Sequence, residues 1–353
     1  MKKACEDTAV TKSKAAYIVI SVLLSIFLIA FLLSKTRTQE LTQTLRQISL
    51  TALLVYIAVS LIATWLRAWR YKWLLKPHAI TWGNMFLVTF IRNCFDDLLP
   101  ARIGSLSYII VLNRRLNFSF ESAASTFVVA FVFDFLTLSP FLVLAILAVG
   151  FGTAAISTSA LLIFALLFFL LIFLLLWKII PASHLFLKVY QALLKLFKAD
   201  KKKKAQISFK KLRMTINCLQ EIRSRRIFAP LFAMSLAIRL GKYVSLYALL
   251  FALLRSHGFS LQDLSFWKTI LGITAAEMTS ALPIKGLADF GTWESAWTLA
   301  FQLMGFEMRL AVLSGFGIHL ITNIFEYGLG FLSILILAIP FLKKDRPRRT
   351  LPL

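Results

Sequence analysis

The chain has 353 residues, of which 59% are hydrophobic and 14% aromatic, with 32 Phe, and a mean hydropathy of +0.78; soluble domains do not carry that apolar share, so this is an integral membrane protein. The net charge of +24 then belongs to cytoplasmic loops and anionic headgroups rather than to nucleic acid. Three distant cysteines (Cys5, Cys94, Cys218), four scattered histidines (His78, His184, His257, His319) and the lack of a P-loop or HExxH motif argue against a disulfide framework, a metal site, a cofactor or ATP hydrolysis.

Apolar runs long enough to cross roughly 30 Å of hydrocarbon lie at about Ala15–Ser34, Gln47–Leu66, Ser122–Phe151, Ser159–Ile180, Ile227–Leu254 and Leu310–Leu342. The first follows a basic start but has the length of a span and no small-residue cleavage site, so it reads as a transmembrane helix rather than a signal peptide. Two further stretches, about Ile80–Leu116 and Leu264–Met308, are apolar but broken by Pro, Gly and charge.

Orientation follows from the basic residues. Lys178 to Arg226 contains fourteen of them against Asp200 and Glu221, which makes this linker cytoplasmic. Counting outward puts both termini and the Arg67/Arg70/Lys72/Lys76 cluster on the same side. Only the Lys35/Arg37/Arg46 loop violates the rule. The amphipathic pieces Phe186–Phe197 and Ile207–Cys218 are expected to lie on the anionic leaflet. With six full spans, each broken stretch must enter and leave on one side: Ile80–Leu116 from the cytoplasm, Leu264–Met308 from outside.

The stretch Glu277–Glu294 cannot be an ordinary membrane helix. It holds Glu277, Lys285, Asp289 and Glu294, together with Pro283, Gly286 and Gly291. Each such charge costs roughly 2.5–3.5 kcal/mol in hydrocarbon on insertion scales, and irregular backbone survives there only where protein or a water-filled cavity surrounds it. A solvated loop is the alternative. Against it, Leu99-Pro100-Ala101-Arg102-Ile103-Gly104 repeats as Leu282-Pro283-Ile284-Lys285-Gly286: Leu-Pro-x-basic, then glycine. The expected fold is therefore an all-α polytopic membrane protein with six full transmembrane helices and two broken re-entrant helical hairpins in an inverted-repeat arrangement. Such broken helices meet near the bilayer midplane and form substrate sites in transporters. Residues 1–342 form one transmembrane domain, its first half about 15–151 and its second about 159–342, with the basic linker at about 181–226 and a basic cytoplasmic tail at 343–353.

Leu66-Arg67-Ala68-Trp69-Arg70-Tyr71, then Asn93, the Pro100 to Gly104 motif, Asp134 followed by Phe135 and Leu136, and Leu282-Pro283 through Gly291 to Glu294 together resemble the successive motifs of the lysylphosphatidylglycerol synthase transmembrane family, or flippase-like integral membrane proteins. The resemblance covers about Ala15 to Pro340 and is carried by the order and spacing of short motifs. The sequence departs from the pattern at Ser105, where an acidic residue is usual, before Asp134, where an arginine is usual, at His319 in place of a basic residue, and in a diluted glycine turn. The resemblance implies a protein that moves lipids with charged or glycosylated headgroups between leaflets. Bifunctional members add a soluble aminoacyl-transferase domain, which is not expected here because the chain ends at Leu353.

A headgroup route needs cations to meet phosphate, and Arg102, Lys285, Arg239 and Lys242 are the candidates. Arg239 and Lys242 share one helical face beside Gly241. The alternative role for these cations is to neutralise the buried carboxylates Asp134, Glu277 and Glu326. Asp289 and Glu294 complete the expected polar cavity. His319, Asn323 and Glu326 form one helical stripe, read either as a proton relay or as interhelical hydrogen bonding, the commoner use. Pro100, Gly104, Pro283, Gly286 and Gly291 are the helix breaks. The expected function is translocation of a charged or glycosylated lipid across the cytoplasmic membrane, without enzymatic chemistry; its partners are membrane lipids, and a homo-oligomer is compatible. The alternatives are a membrane-embedded lipid-linked transferase using carboxylates such as Asp96 and Asp97 or Asp289 and Glu294, and an accessory subunit that does not transport.

Overall fold

The computed structural model describes residues 23, 25–32, 34, 38–75, 80–150, 157–196, 203–225, 227–279 and 286–338. Among the described residues all regular structure is helical: thirteen α-helices joined by loops and three 3-10 turns. The helices are α1 (Thr38–Arg46), α2 (Leu50–Leu74), α3 (Trp82–Leu98), α4 (Ser107–Arg115), α5 (Phe120–Leu136), α6 (Leu138–Val149), α7 (Thr158–Trp177), α8 (Ile179–Leu196), α9 (Lys203–Ser224), α10 (Phe228–Leu254), α11 (Phe266–Thr279), α12 (Thr292–Leu303) and α13 (Met308–Ala338). A backbone in hydrocarbon must satisfy its own N–H and C=O groups, and a helix does so within one segment.

Among the described residues, five stretches are long and apolar enough to cross a membrane: Leu50–Leu74, Phe120–Val149, Thr158–Trp177, Phe228–His257 and Met308–Ala338. Most of the first expected span, Ala15–Ser34, lies outside the described residues, of which 25–32 are helical. The second span runs eight residues further than its apolar run, through Arg67, Arg70 and Lys72 to Leu74. The third is two helices end to end: the Thr137 hydroxyl donates to Phe133 O at 2.9 Å where α5 gives way to α6.

The chain forms two compact units that interleave in sequence: Met1–Ser60, Phe90–Leu106 and Tyr243–Leu332 in the first, Leu61–Thr89, Ser107–Lys242 and Ser333–Leu353 in the second. In the first unit, α11 and α12 pack along each other as a helical hairpin. Its core is a column of rings, Trp293, Trp297 and Phe301, with successive centroids 5.3 and 4.3 Å apart, and the Trp297 indole donates to Ser314 Oγ on α13 at 3.1 Å. The helix of residues 25–32 joins this unit through Leu32, which packs on Val312 and Phe316.

In the second unit, α5 is central, packed by α4, α7 and α9. Tyr71, Tyr108, Leu112, Ala130, Phe133, Leu219 and Ile222 form its core. The basic linker departs from expectation here. Helix α8 keeps every residue at least partly exposed, as a helix on a leaflet would. Helix α9 instead packs against α5, because Ile216, Leu219 and Ile222 give it an apolar stripe that is fully buried.

One helix crossing in the first unit depends on a missing side chain. A Cβ at Gly330 of α13 would stand 2.3 Å from Cys94 Cβ on α3, whereas one at Gly328 would meet nothing within 4 Å. Gly330→Ala is expected to destabilise the protein by about 1–3 kcal/mol through overpacking, while Gly328→Ala is neutral or stabilises by up to about 1 kcal/mol through the reduced entropy of the unfolded chain. Thermal unfolding of the two variants in detergent checks the contrast.

Candidate functional site

The first break begins where Pro100 removes a backbone donor and disfavours helical geometry at Leu99. Helix α3 stops at Leu98, and Pro100–Leu106 continues as a 3-10 turn. This turn folds back on the helix it left: a Cβ at Gly104 would lie 1.5 Å from Phe95 O, so only glycine fits. The fold-back buries Ser105, whose hydroxyl donates to Asp96 Oδ1 at 2.8 Å. Asp96 Oδ2 faces Arg92 Nη2 at 3.4 Å, one helical turn earlier, and Arg92 Nη1 also donates to Asn93 Oδ1 at 3.3 Å. Ser105 thus stands where the family pattern has an acid and serves a carboxylate already present on α3.

The second break lies between α11 and α12. Residues 280–285, with Pro283 and Lys285, are outside the described residues. From Gly286 the chain makes a 3-10 turn at Leu287–Asp289 in which Ala288 and Asp289 have φ of 52° and 65°. Two consecutive non-glycine residues in the left-handed region cost about 1–3 kcal/mol each unless their surroundings hold them there. Gly291 follows at φ 88° with Leu28 pressed against it, and α12 starts at Thr292.

Glu294 fixes this turn. Its Oε2 accepts from the Gly291 amide at 2.7 Å, at the positive end of α12. Its Oε1 pairs with His319 Nδ1 on α13 at 2.6 Å, and the two side chains are 0% and 5% exposed. The imidazole lies between the rings of Phe290 and Trp293, with centroids at 4.6 and 5.0 Å. Gly286, Ala288, Asp289, Gly291, Trp293 and Glu294 are all buried, which excludes the solvated-loop reading for the part described. The turns Pro100–Leu106 and Leu287–Asp289 touch each other. The residues that touch Pro100–Leu106 directly follow the second copy of the motif, of which Gly286 alone is among the described residues.

The remaining polar residues of this unit gather on the same helices. Glu277 is buried on α11 and Asn323 on α13. Glu326 lies on α13, three residues after Asn323, and Asp97 in the last turn of α3. Arg102 lies in the first turn.

A second polar centre lies in the other unit. Arg70, fully buried, donates through Nη1 to Asp134 Oδ1 at 2.6 Å and to Ser235 Oγ at 2.8 Å. Arg239 Nη2 donates to the backbone oxygen of Asp134 at 2.5 Å. Arg70 is thus no loop cation, as its place in a basic cluster implied; a partly exposed carboxylate and a buried hydroxyl hold it inside the protein. Asp134 obtains from α2 the arginine its own helix lacks. Of the expected headgroup cations, Arg239 and Lys242 belong to the second unit and Arg102 to the first, while Lys285 lies outside the described residues.

Sequence reasoning missed Arg92 and the role of Arg70. Arg92 was findable as the i, i+4 partner of Asp96. Arg70 was masked by Arg67, Lys72 and Lys76 around it.

A family model described as the lysylphosphatidylglycerol synthase TM region matches residues 18–330. No curated protein matches the chain.

Breaking a buried ion pair strands the survivor, whereas replacing both partners with apolar residues does not. Arg70→Met is therefore expected to cost about 3–5 kcal/mol, at the lower end because Asp134 is partly exposed, and Arg70→Met with Asp134→Leu to recover most of that loss. Thermal unfolding of the two single variants and the double variant measures the coupling.

Proposed function

The chain belongs to the lysylphosphatidylglycerol synthase transmembrane family, a membrane region associated with lipid modification and flipping, and on that premise we propose that it translocates a lipid with a charged or glycosylated headgroup between the leaflets of the cytoplasmic membrane. The observation that carries this reading is the meeting of Pro100–Leu106 with Leu287–Asp289, two irregular segments of which the second holds buried Asp289 and the first follows directly on the helix of Arg92 and Asp96.

The chemistry is that of a headgroup route rather than of bond breaking. Apolar helices leave the acyl chains in lipid while the broken segments present polar side chains and turn backbone to the headgroup. The Arg92–Asp96 pair at 3.4 Å is longer than the roughly 2.7–2.9 Å of a tight charge-assisted bond. Arg92 is the group of this pair suited to a lipid phosphate, and Asp96 the group suited to an ammonium. The Glu294–His319 pair is shorter, at 2.6 Å and with no exposed carboxylate. On this reading both termini are cytoplasmic and the two broken segments enter from opposite sides. The lipid leaves chemically unchanged.

Purified protein in liposomes is expected to accelerate leaflet exchange of a labelled anionic lipid, and Arg92→Ala or Arg102→Ala to slow it about tenfold or more, equivalent to about 1.4 kcal/mol on the barrier. Exchange no faster than in empty vesicles across anionic, zwitterionic, aminoacylated and glycosylated lipids would overturn the reading. A covalently altered lipid after incubation would point to a transferase instead.

A further inference from the structure

The second unit contains a cavity of about 420 Å³ between α5, α7, α9 and α10, within the roughly 300–1,000 Å³ typical of sites for small organic ligands. Its walls are apolar: Phe133 and Leu136 from α5, Phe169 and Phe173 from α7, Phe228 and Phe232 from α10. No water-soluble ligand suits that lining. Helix α7 leaves nearly all of its side chains exposed, Ala165 and Leu176 excepted, so an alkyl chain in the surrounding bilayer has direct access to this side of the unit.

One end of the cavity is different. Trp177 and Arg223 close it, both exposed, and Arg223 Nη1 donates to Trp177 O at 2.8 Å. Among the described residues that is the guanidinium's one hydrogen bond, and Arg223 pairs with no carboxylate. Its neighbour Arg225 is engaged otherwise, by Glu221 at 2.9 Å and by Leu74 O at 3.1 Å. A guanidinium carries five N–H donors and grips phosphate through two of them. The exposed cation Lys178 directly follows Trp177 at the end of α7. An aromatic ring and a cation at the end of a membrane helix mark the headgroup level.

We propose that this cavity is a resident-lipid site, holding one acyl chain of an anionic phospholipid among the phenylalanines with its phosphate on Arg223. Charge complementarity selects the occupant. A zwitterionic lipid brings its own cation to an end that already carries Arg223, with Lys178 next to Trp177, whereas an anionic lipid does not. An apolar chain gains little by moving from bilayer to cavity, so the phosphate contact decides which lipid stays. The bound lipid is a structural component that ties α7 to α9 and α10, and it is separate from any lipid that is moved; all of the lining residues belong to the second unit.

The test is native mass spectrometry of the full chain released from nanodiscs of equimolar phosphatidylglycerol and phosphatidylcholine with identical acyl chains. The wild type is expected to retain one phosphatidylglycerol, with about tenfold preference over phosphatidylcholine. Arg223→Ala should abolish the preference. Ala229→Trp, at an exposed position on the cavity wall, should abolish retention without lowering the melting temperature measured in lipid-free detergent. Equal retention of the two lipids by the wild type, or retention unchanged in both variants, overturns the proposal. Neither result depends on leaflet exchange, which is measured separately.

Discussion

The carboxylate of Glu294 organises the first unit. A membrane protein can carry irregular backbone only if the freed polar groups find partners inside it, and Glu294 supplies two at once: the Gly291 amide and the His319 ring. Through the first it fixes the start of α12 immediately after two residues in left-handed geometry. Through the second it fastens the hairpin of α11 and α12 to α13, the longest helix described. The strained turn persists because both ends of it are held. That turn then forms the surface against which Pro100–Leu106 rests.

The second unit meets the same requirement differently. Its Arg70–Asp134 pair lies within regular helices, so the pair frees no backbone groups. Ser235 and Arg239 add hydrogen bonds around that pair, which is what makes a buried ion pair tolerable. A tight pair at 2.6 Å is suited to holding α2 on α5. The Arg92–Asp96 pair, beside the turn that contains Pro100 and Gly104, is longer at 3.4 Å.

Much of this was legible in the sequence. The apolar runs announce a helical membrane protein because hydrocarbon leaves few other options for the backbone. The break residues were readable for a local reason: Pro100 ends a helix wherever it falls, and Gly104 and Gly291 answer to steric limits that no other residue meets. Pairings between distant residues were not readable. Asp134 could have taken its counter-charge from Arg239 or Lys242 by proximity in a helical pattern, and it takes it from Arg70, 64 positions earlier. Likewise His319 was found as part of a stripe with Asn323 and Glu326, but only the fold shows that its partner is Glu294, 25 residues away. For α9 the charge of the linker concealed Ile216, Leu219 and Ile222, and the helix joined the core where leaflet binding was expected.

The central claim is that the two broken segments meet inside the protein. The most direct measurement is chemical crosslinking in native membranes of a chain with Cys5, Cys94 and Cys218 replaced by alanine and cysteines introduced by Ile103→Cys and Leu287→Cys. A short bis-maleimide is expected to join the two positions within one chain, so that the two fragments produced by cleavage of the intervening loop still migrate together. Free labelling of both cysteines by a membrane-impermeant reagent with no crosslink would contradict the account, since it would place the turns apart and in water.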